Sequence, residues 1–270
     1  MVGNVMAFSR EDVLATAERS PAAASARDRA GWVGVFTRDG RVEDPVGSQP
    51  HLGRVAIGHF FDTFIGPRDV SYHNDVDLIS GSTIIRDGVL QASLGSITLR
   101  VPIYIRYDLH PDDGELKIAA LSAFWELPAM VGQFLRGGIG GLPAGLQLSK
   151  HLLTNQGMVG TLGFLSGFRG TGSQGKRRFR RFLADARAGD EVAVRRWLGK
   201  GARMTIGDEL PLTTTELLSR LADGRPHKMI ASGHSLVVGI DRDGRRDVLI
   251  ADVGAKSYAI NRIRYFSDSD

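Results

Sequence analysis

From Ile97 to Leu109 every second residue is apolar: Ile97, Leu99, Val101, Ile103, Ile105, Tyr107 and Leu109. Thr98, Arg100, Arg106 and Asp108 fall between them. A period of two predicts a strand with one buried and one polar face. That parity turns Ile103, Ile105 and Tyr107 to the apolar side, whereas Tyr104 would need a bulge to join them. β-rich runs are predicted at 70–79, 81–86, 89–107 and 116–125, separated by turns such as Arg86-Asp87-Gly88 and Pro111-Asp112-Asp113-Gly114. Upstream the period becomes helical. Val13, Leu14 and Ala17, behind a Ser9 cap with Asp12 three residues on, predict a helix that Pro21 ends or kinks. A short helix at 26–36, a strand at 41–44 and a helix at 54–64 follow, the last with Ile57, Phe60, Phe61 and Phe64 on one face. Helices followed by a meander make an α+β order, not a βαβ one.

The same order returns after residue 176. Helices are predicted at 178–188 and 191–198, a strand at 203–206, and a helix capped near Thr213 with Leu217, Leu218 and Leu221 apolar. β runs follow at 227–240, 246–252 and 258–266, with Asp241-Arg242-Asp243-Gly244 as a hairpin turn. Helices then sheet, twice over, suggest a tandem of one fold. The stretch between is rich in glycine and apolar residues, as in Gly137-Gly138-Ile139-Gly140-Gly141 and Leu162, Phe164, Leu165 and Phe168. It reads as a connector, helical at 146–153, packed against one or both domains. The alternative is an interfacial segment in peripheral membrane contact, aided by the basic residues that follow. The expected organisation is a first domain at 1–127, a connector at 128–175 and a second, shorter domain at 176–270.

The chain has 270 residues, 42% hydrophobic and 24% charged, which suits a soluble protein with two cores. It contains no cysteine, which excludes disulfides, thiolate nucleophiles and Cys-ligated metals and fits a reducing compartment. The first ten residues lack a secretory pattern and no apolar run reaches a membrane-spanning length, so a cytoplasmic location is expected. The seven histidines include no close ligand pair, and neither a metal nor another cofactor is expected. The basic cluster of Lys176, Arg177, Arg178, Arg180 and Arg181 reads as a solvated helix face, and no nucleic-acid partner is expected. Gly170-Thr171-Gly172-Ser173-Gln174-Gly175-Lys176 approaches a phosphate-loop pattern. Arg177, however, stands where the magnesium-binding hydroxyl belongs, and the segment reads as a flexible joint.

One carboxylate stands out. Asp44 follows a short strand and precedes Pro45, with Gly47 allowing a tight bend. Burial in a pocket wall would lift its pKa and let it shuttle a proton between carbons, although Asp-Pro is also a common turn pair. Val42-Glu43-Asp44-Pro45-Val46-Gly47-Ser48, then Pro50, Gly53-Arg54 and Ile57, is similar to the base loop and following helix of bacterial Δ5-3-ketosteroid isomerases. Phe36 and Asp28 also fall where that family keeps an aromatic and an acidic residue. The resemblance is concentrated in residues 28–64, and its order of elements extends to about Trp125. The wider superfamily includes SnoaL-like cyclases and nuclear transport factor 2-like domains. It shares a cone of helices and a curved antiparallel sheet, so two cystatin-like α+β cones in tandem are implied.

The resemblance further implies a small hydrophobic ligand, a steroid- or polyketide-like carbonyl compound, with Asp44 as the base. It also implies a homodimer or an intramolecular pairing of the two domains. The family's oxyanion donors do not carry over. Ser20 stands where its Tyr is expected, and the place of its protonated Asp falls on Ile103, Ile105 or Tyr107. Tyr107, with Tyr104 as the second choice, is therefore the candidate donor. Trp32, Phe36, Phe61, Phe64, Ile103, Ile105 and Trp125 are the expected pocket lining, at spacings that would serve a core equally well. In the second domain Ile206 stands where Asp44 would repeat, with Asp208 nearby, which suggests a structural or docking copy. A non-catalytic ligand-binding, dimerisation or membrane-surface scaffold is the competing expectation.

Overall fold

The computed structural model describes residues 8–94, 97–136 and 170–268. Most of the expected connector, including the helix at 146–153, lies outside the described residues.

Helix α1 (Arg10–Ser25) starts with a reciprocal cap, the Ser9 hydroxyl accepting from Asp12 N–H and the Asp12 carboxylate accepting from Ser9 N–H at 2.8 Å. Of the two expected outcomes at Pro21, the helix does not end there but runs through it to Ser25. Packing of the buried face formed by Val13, Ala17, Ser20 and Ala24 offsets the hydrogen bond that proline removes. Helix α2 (Arg29–Gly34) is capped by Asp28, whose side chain accepts from Gly31 N–H at 2.9 Å. Strands β1 (Phe36–Glu43) and β2 (His51–Leu52) lead to α3 (Gly53–Phe60), which widens into a π turn at Phe61–Ile65. Strands β3 (Asp69–Ser80), β4 (Thr83–Leu94), β5 (Ile97–Asp112) and β6 (Glu115–Phe124) form an antiparallel meander followed by α4 (Leu127–Arg136). β1 joins β6 in parallel, giving the order β2-β1-β6-β5-β4-β3.

The second unit comprises α5 (Gly172–Arg187), α6 (Glu191–Trp197), β7 (Leu198–Ile206), β8 (Leu210–Pro211), α7 (Thr214–Ala222), β9 (Arg225–Ser232), β10 (Ser235–Arg242), β11 (Arg245–Val253) and β12 (Ile260–Phe266). Its sheet order, β8-β7-β12-β11-β10-β9, matches the first strand for strand, including one parallel pairing. The molecule is thus two α+β cones in tandem.

Four local expectations change, and the first is that the run 89–107 is not one strand but the end of β4 and the start of β5. Arg86-Asp87-Gly88 is not a turn but the middle of β4. Asp87 faces the second unit, where it pairs with Lys228 and with Arg246 at 2.9 Å. Gly88 is there for space: a Cβ would lie 2.3 Å from the His73 carbonyl oxygen. The run 227–240 is two strands, β9 and β10, turning at Gly233 with φ +54°. The expected joint at 170–176 is helical from Gly172 onward.

One core fills the space between the first sheet's inner face and α1–α3, and a second does the same in the second unit. A third lies between the sheets. There Leu78, Ile85, Tyr104 and Phe124 meet Ile230, Val237, Val248, Ile250 and Phe266. The two units are therefore packed sheet against sheet, and Arg106 adds a pairing with Asp208 at 2.6 Å across this contact. Tyr104 follows strand parity onto this outer face, donating to the Lys228 carbonyl at 3.0 Å.

Candidate functional site

The helices of the first unit do not fill its sheet. A cavity of about 250 Å³ remains between α1, the α3 and π-turn segment, α4 and the inner face of β3–β6. Alternation along β5 turns Leu99, Val101, Ile103, Ile105 and Tyr107 into it, as the period of two requires. Trp32, Phe64, Trp125 and Asp44 also line it. Phe36 and Phe61 do not. They are buried beside Trp32, with ring centroids 4.9 and 5.6 Å away, and support the wall from behind. In the second unit Phe182, Leu183, Leu217, Leu249, Ile263 and Tyr265 pack a buried core, and a small space of about 10 Å³ lies at the other end of its sheet, beside Phe179, Trp197 and the β11–β12 turn.

Asp44 immediately follows β1, in cis peptide linkage to Pro45. The loop is tied down on both sides. Val46 N–H donates to the Ala123 carbonyl at 2.8 Å, Gly47 N–H to Glu43 Oε1 at 2.8 Å, and Ser48 Oγ to the Pro45 carbonyl at 2.7 Å. Trp125 Nε1 donates to Asp44 Oδ1 at 2.5 Å. Asp44 is half-buried and forms part of the cavity wall. Desolvation therefore governs its acidity, raising the pKa to about 6 against the opposing pull of the Trp125 hydrogen bond. Among the described residues no cation pairs with it.

Tyr107 lines the same cavity. Burial lifts its pKa to about 12, while the Arg86 guanidinium and the Ser20 hydroxyl hold it down. Ser20, at the position where a tyrosine was expected, thus acts on Tyr107 from α1. Arg86 is fixed by Asp77 at 2.8 Å and Glu18 at 2.6 Å, and lies over the Tyr72 ring at 5.7 Å. Tyr72 is a second cavity phenol, and burial also raises its pKa. Register places Asp44 and Tyr107 apart. Val42 pairs with Leu121 and Leu121 with Tyr107, so Asp44 lies two residues along and two strands across from Tyr107, roughly 12 Å between backbones at sheet spacing. Asp44 and Tyr107 therefore line different parts of the cavity wall.

Tyr72 and Arg68, both in the cavity wall, were not foreseen from sequence. Tyr72 sits among polar neighbours, and Arg68 follows Gly66-Pro67 in what reads as a solvated turn. The basic cluster is partly engaged. Lys176 pairs with Glu126, and Arg178 lies 5.5 Å from both the Trp197 and Tyr258 rings, while Arg177, Arg180 and Arg181 are exposed. Among the described residues no three His, Asp or Glu side chains converge as a metal site needs, and no helix is long and apolar enough to cross a membrane.

A family model for the Nuclear transport factor 2 (NTF2) domain matches residues 13–99. Similar solved structures include RV0760c from Mycobacterium tuberculosis, at 25% identity and a TM-score of 0.41, covering 45% of this chain and 96% of that one. The same protein in complex with estradiol-17beta-hemisuccinate gives 26% identity and a TM-score of 0.40, covering 43% and 95%. Delta 5-3-ketosteroid isomerase from Mycobacterium sp. gives 27% identity and a TM-score of 0.41, covering 44% and 96%. Both units of the chain have the nuclear transport factor 2-like fold, the first enclosing a largely apolar cavity and the second carrying a packed core.

Proposed function

We propose that the first unit binds a steroid- or polyketide-like carbonyl compound and that Asp44 moves a proton between two of its carbons. The carboxylate removes a proton from the carbon between the carbonyl and a β,γ double bond. The electron pair moves onto the carbonyl oxygen, giving a dienolate, and the Asp44 carboxylic acid returns the proton at the γ carbon. The product is the conjugated enone, and no other reactant is consumed. The carrying observation is a lone carboxyl, with a pKa near 6 and a Trp125 hydrogen bond, in a predominantly apolar cavity. A pKa near the working pH keeps the base available and makes its conjugate acid a competent donor.

Tyr107 is the proposed donor to the dienolate oxygen. Ser20 and Arg86 support it, and its elevated pKa keeps the phenol protonated. With one such donor where two are usual, turnover should be slower by on the order of a hundredfold. The test is the growth of conjugated-enone absorbance from a Δ5-3-ketosteroid. The native chain should produce it and Asp44→Asn should not, while both bind the steroid. Equal turnover in Asp44→Asn rules the base out; steroid binding with no turnover in either protein leaves a binding module.

A further inference from the structure

Arg68 lies in the link between the π turn and β3 and forms part of the cavity wall, with only 9% of its surface exposed. Its Nη1 donates to the Thr63 carbonyl at 2.6 Å. Among the described residues that is one neutral partner for a side chain with five N–H donors. The acidic residues nearest in sequence are committed elsewhere, Asp69 to Arg27 and Asp62 to Arg29 at 2.7 Å. Among the described residues no carboxylate pairs with Arg68. The chain has no Asp or Glu at all between Glu126 and Asp185. Burial makes the charged guanidinium less favourable, and no neighbouring anion opposes that effect. Asp44 does not serve as its counter-ion either, since its acidity is set by burial and Trp125 alone. The cavity thus holds two ionisable groups that do not neutralise one another.

We infer that the cavity takes an amphipathic anion, its apolar body against β5 and a carboxylate, sulfate or phosphate group on Arg68. A planar guanidinium with free donors matches such a group in a two-point hydrogen bond. This rests on the proposal that the cavity binds an apolar molecule, and adds that the carbonyl compound carries an acidic substituent remote from the carbons Asp44 serves. The contact with Thr63 alone would make Arg68 a cap for the preceding helical turn, and the two roles separate experimentally.

Calorimetric titration of the whole chain with dodecanoate, dodecan-1-ol and dodecylamine at pH 8 reads the difference. Dodecanoate should bind about tenfold or more tighter than dodecan-1-ol, and dodecylamine should be rejected. Arg68→Met should bring dodecanoate down to the affinity of the alcohol and leave the alcohol unchanged, while Arg68→Lys keeps most of the preference. Asp44 is ionised at this pH and cannot create a preference for anions, so Asp44→Asn should preserve it. Equal binding of acid and alcohol, or a preference that survives in Arg68→Met, overturns the anion site and leaves the apolar cavity standing. If none of the three ligands binds, the cavity proposal falls and the anion site with it. Should Arg68→Met fold poorly through loss of the Thr63 contact, the three-ligand comparison on the native chain and Arg68→Lys still decides.

Discussion

Asp44 connects function to stability. Its pKa rises from 3.8 to about 6 on folding, so the folded chain holds the proton more tightly than the unfolded one. The resulting stabilisation is fully present below pH 3.8 and is lost as pH rises through about 6. The loss amounts to roughly 3 kcal/mol. Asp44→Asn should therefore match the native chain near pH 3.5 and be more stable by up to that amount at pH 8, as urea unfolding at the two values would show. Trp125→Phe removes the bond that lowers the pKa, so any pH midpoint of turnover should move upward from about 6. Asp44 was legible because its loop resembles a known one, and Tyr107 because strand parity fixes its face. Arg68 was not: a charged residue after Gly66-Pro67 reads as solvated until the cavity wall encloses it. Phe60 and Phe64, four residues apart, line the cavity, whereas Phe61, one step round the turn, goes to the support behind it.

At the level of elements, β4 was misread because its most turn-like residues are used for packing. Gly88→Ala would set a methyl against the His73 carbonyl and the Tyr72 ring, and the carbonyl cannot yield without moving β3. Thermal unfolding should show a loss of about 1–3 kcal/mol, with weaker ligand binding because Tyr72 is displaced. The missed hairpin at Gly233 has a different cause. Leu236, Val238 and Ile240 of β10 face the second core, while Val237 faces the core between the sheets. A strand buried on both faces shows no alternation, so its start could not be read from periodicity. By contrast, β5 has Arg100 and Asp108 on its outer face, and its pattern was plain.

At the scale of the whole molecule, the repeat was visible as an order of elements, but its purpose was not. The second unit packs its own core and sets part of its sheet's outer face against the first. Asp208, near the place where the base would repeat, instead pairs with Arg106 of the first unit. Asp87 is the centre of this contact, fully buried between Lys228 and Arg246. Asp87→Ala would leave two partly buried cations without it and should cost about 3–5 kcal/mol in urea unfolding. The pairing also removes the apolar part of both sheets' outer faces from water. A chain ending at residue 136 would expose Leu78, Ile85, Tyr104 and Phe124, and should self-associate or precipitate in sedimentation experiments.

The proton transfer assigned to Asp44 is tested most directly by hydrogen–deuterium exchange at C1 of 2-tetralone, a compact apolar ketone, in deuterated buffer. The native chain should accelerate exchange above the protein-free rate, with the rate rising through pH 6, and Asp44→Asn should abolish the acceleration. Equal acceleration by Asp44→Asn and the native chain would contradict it.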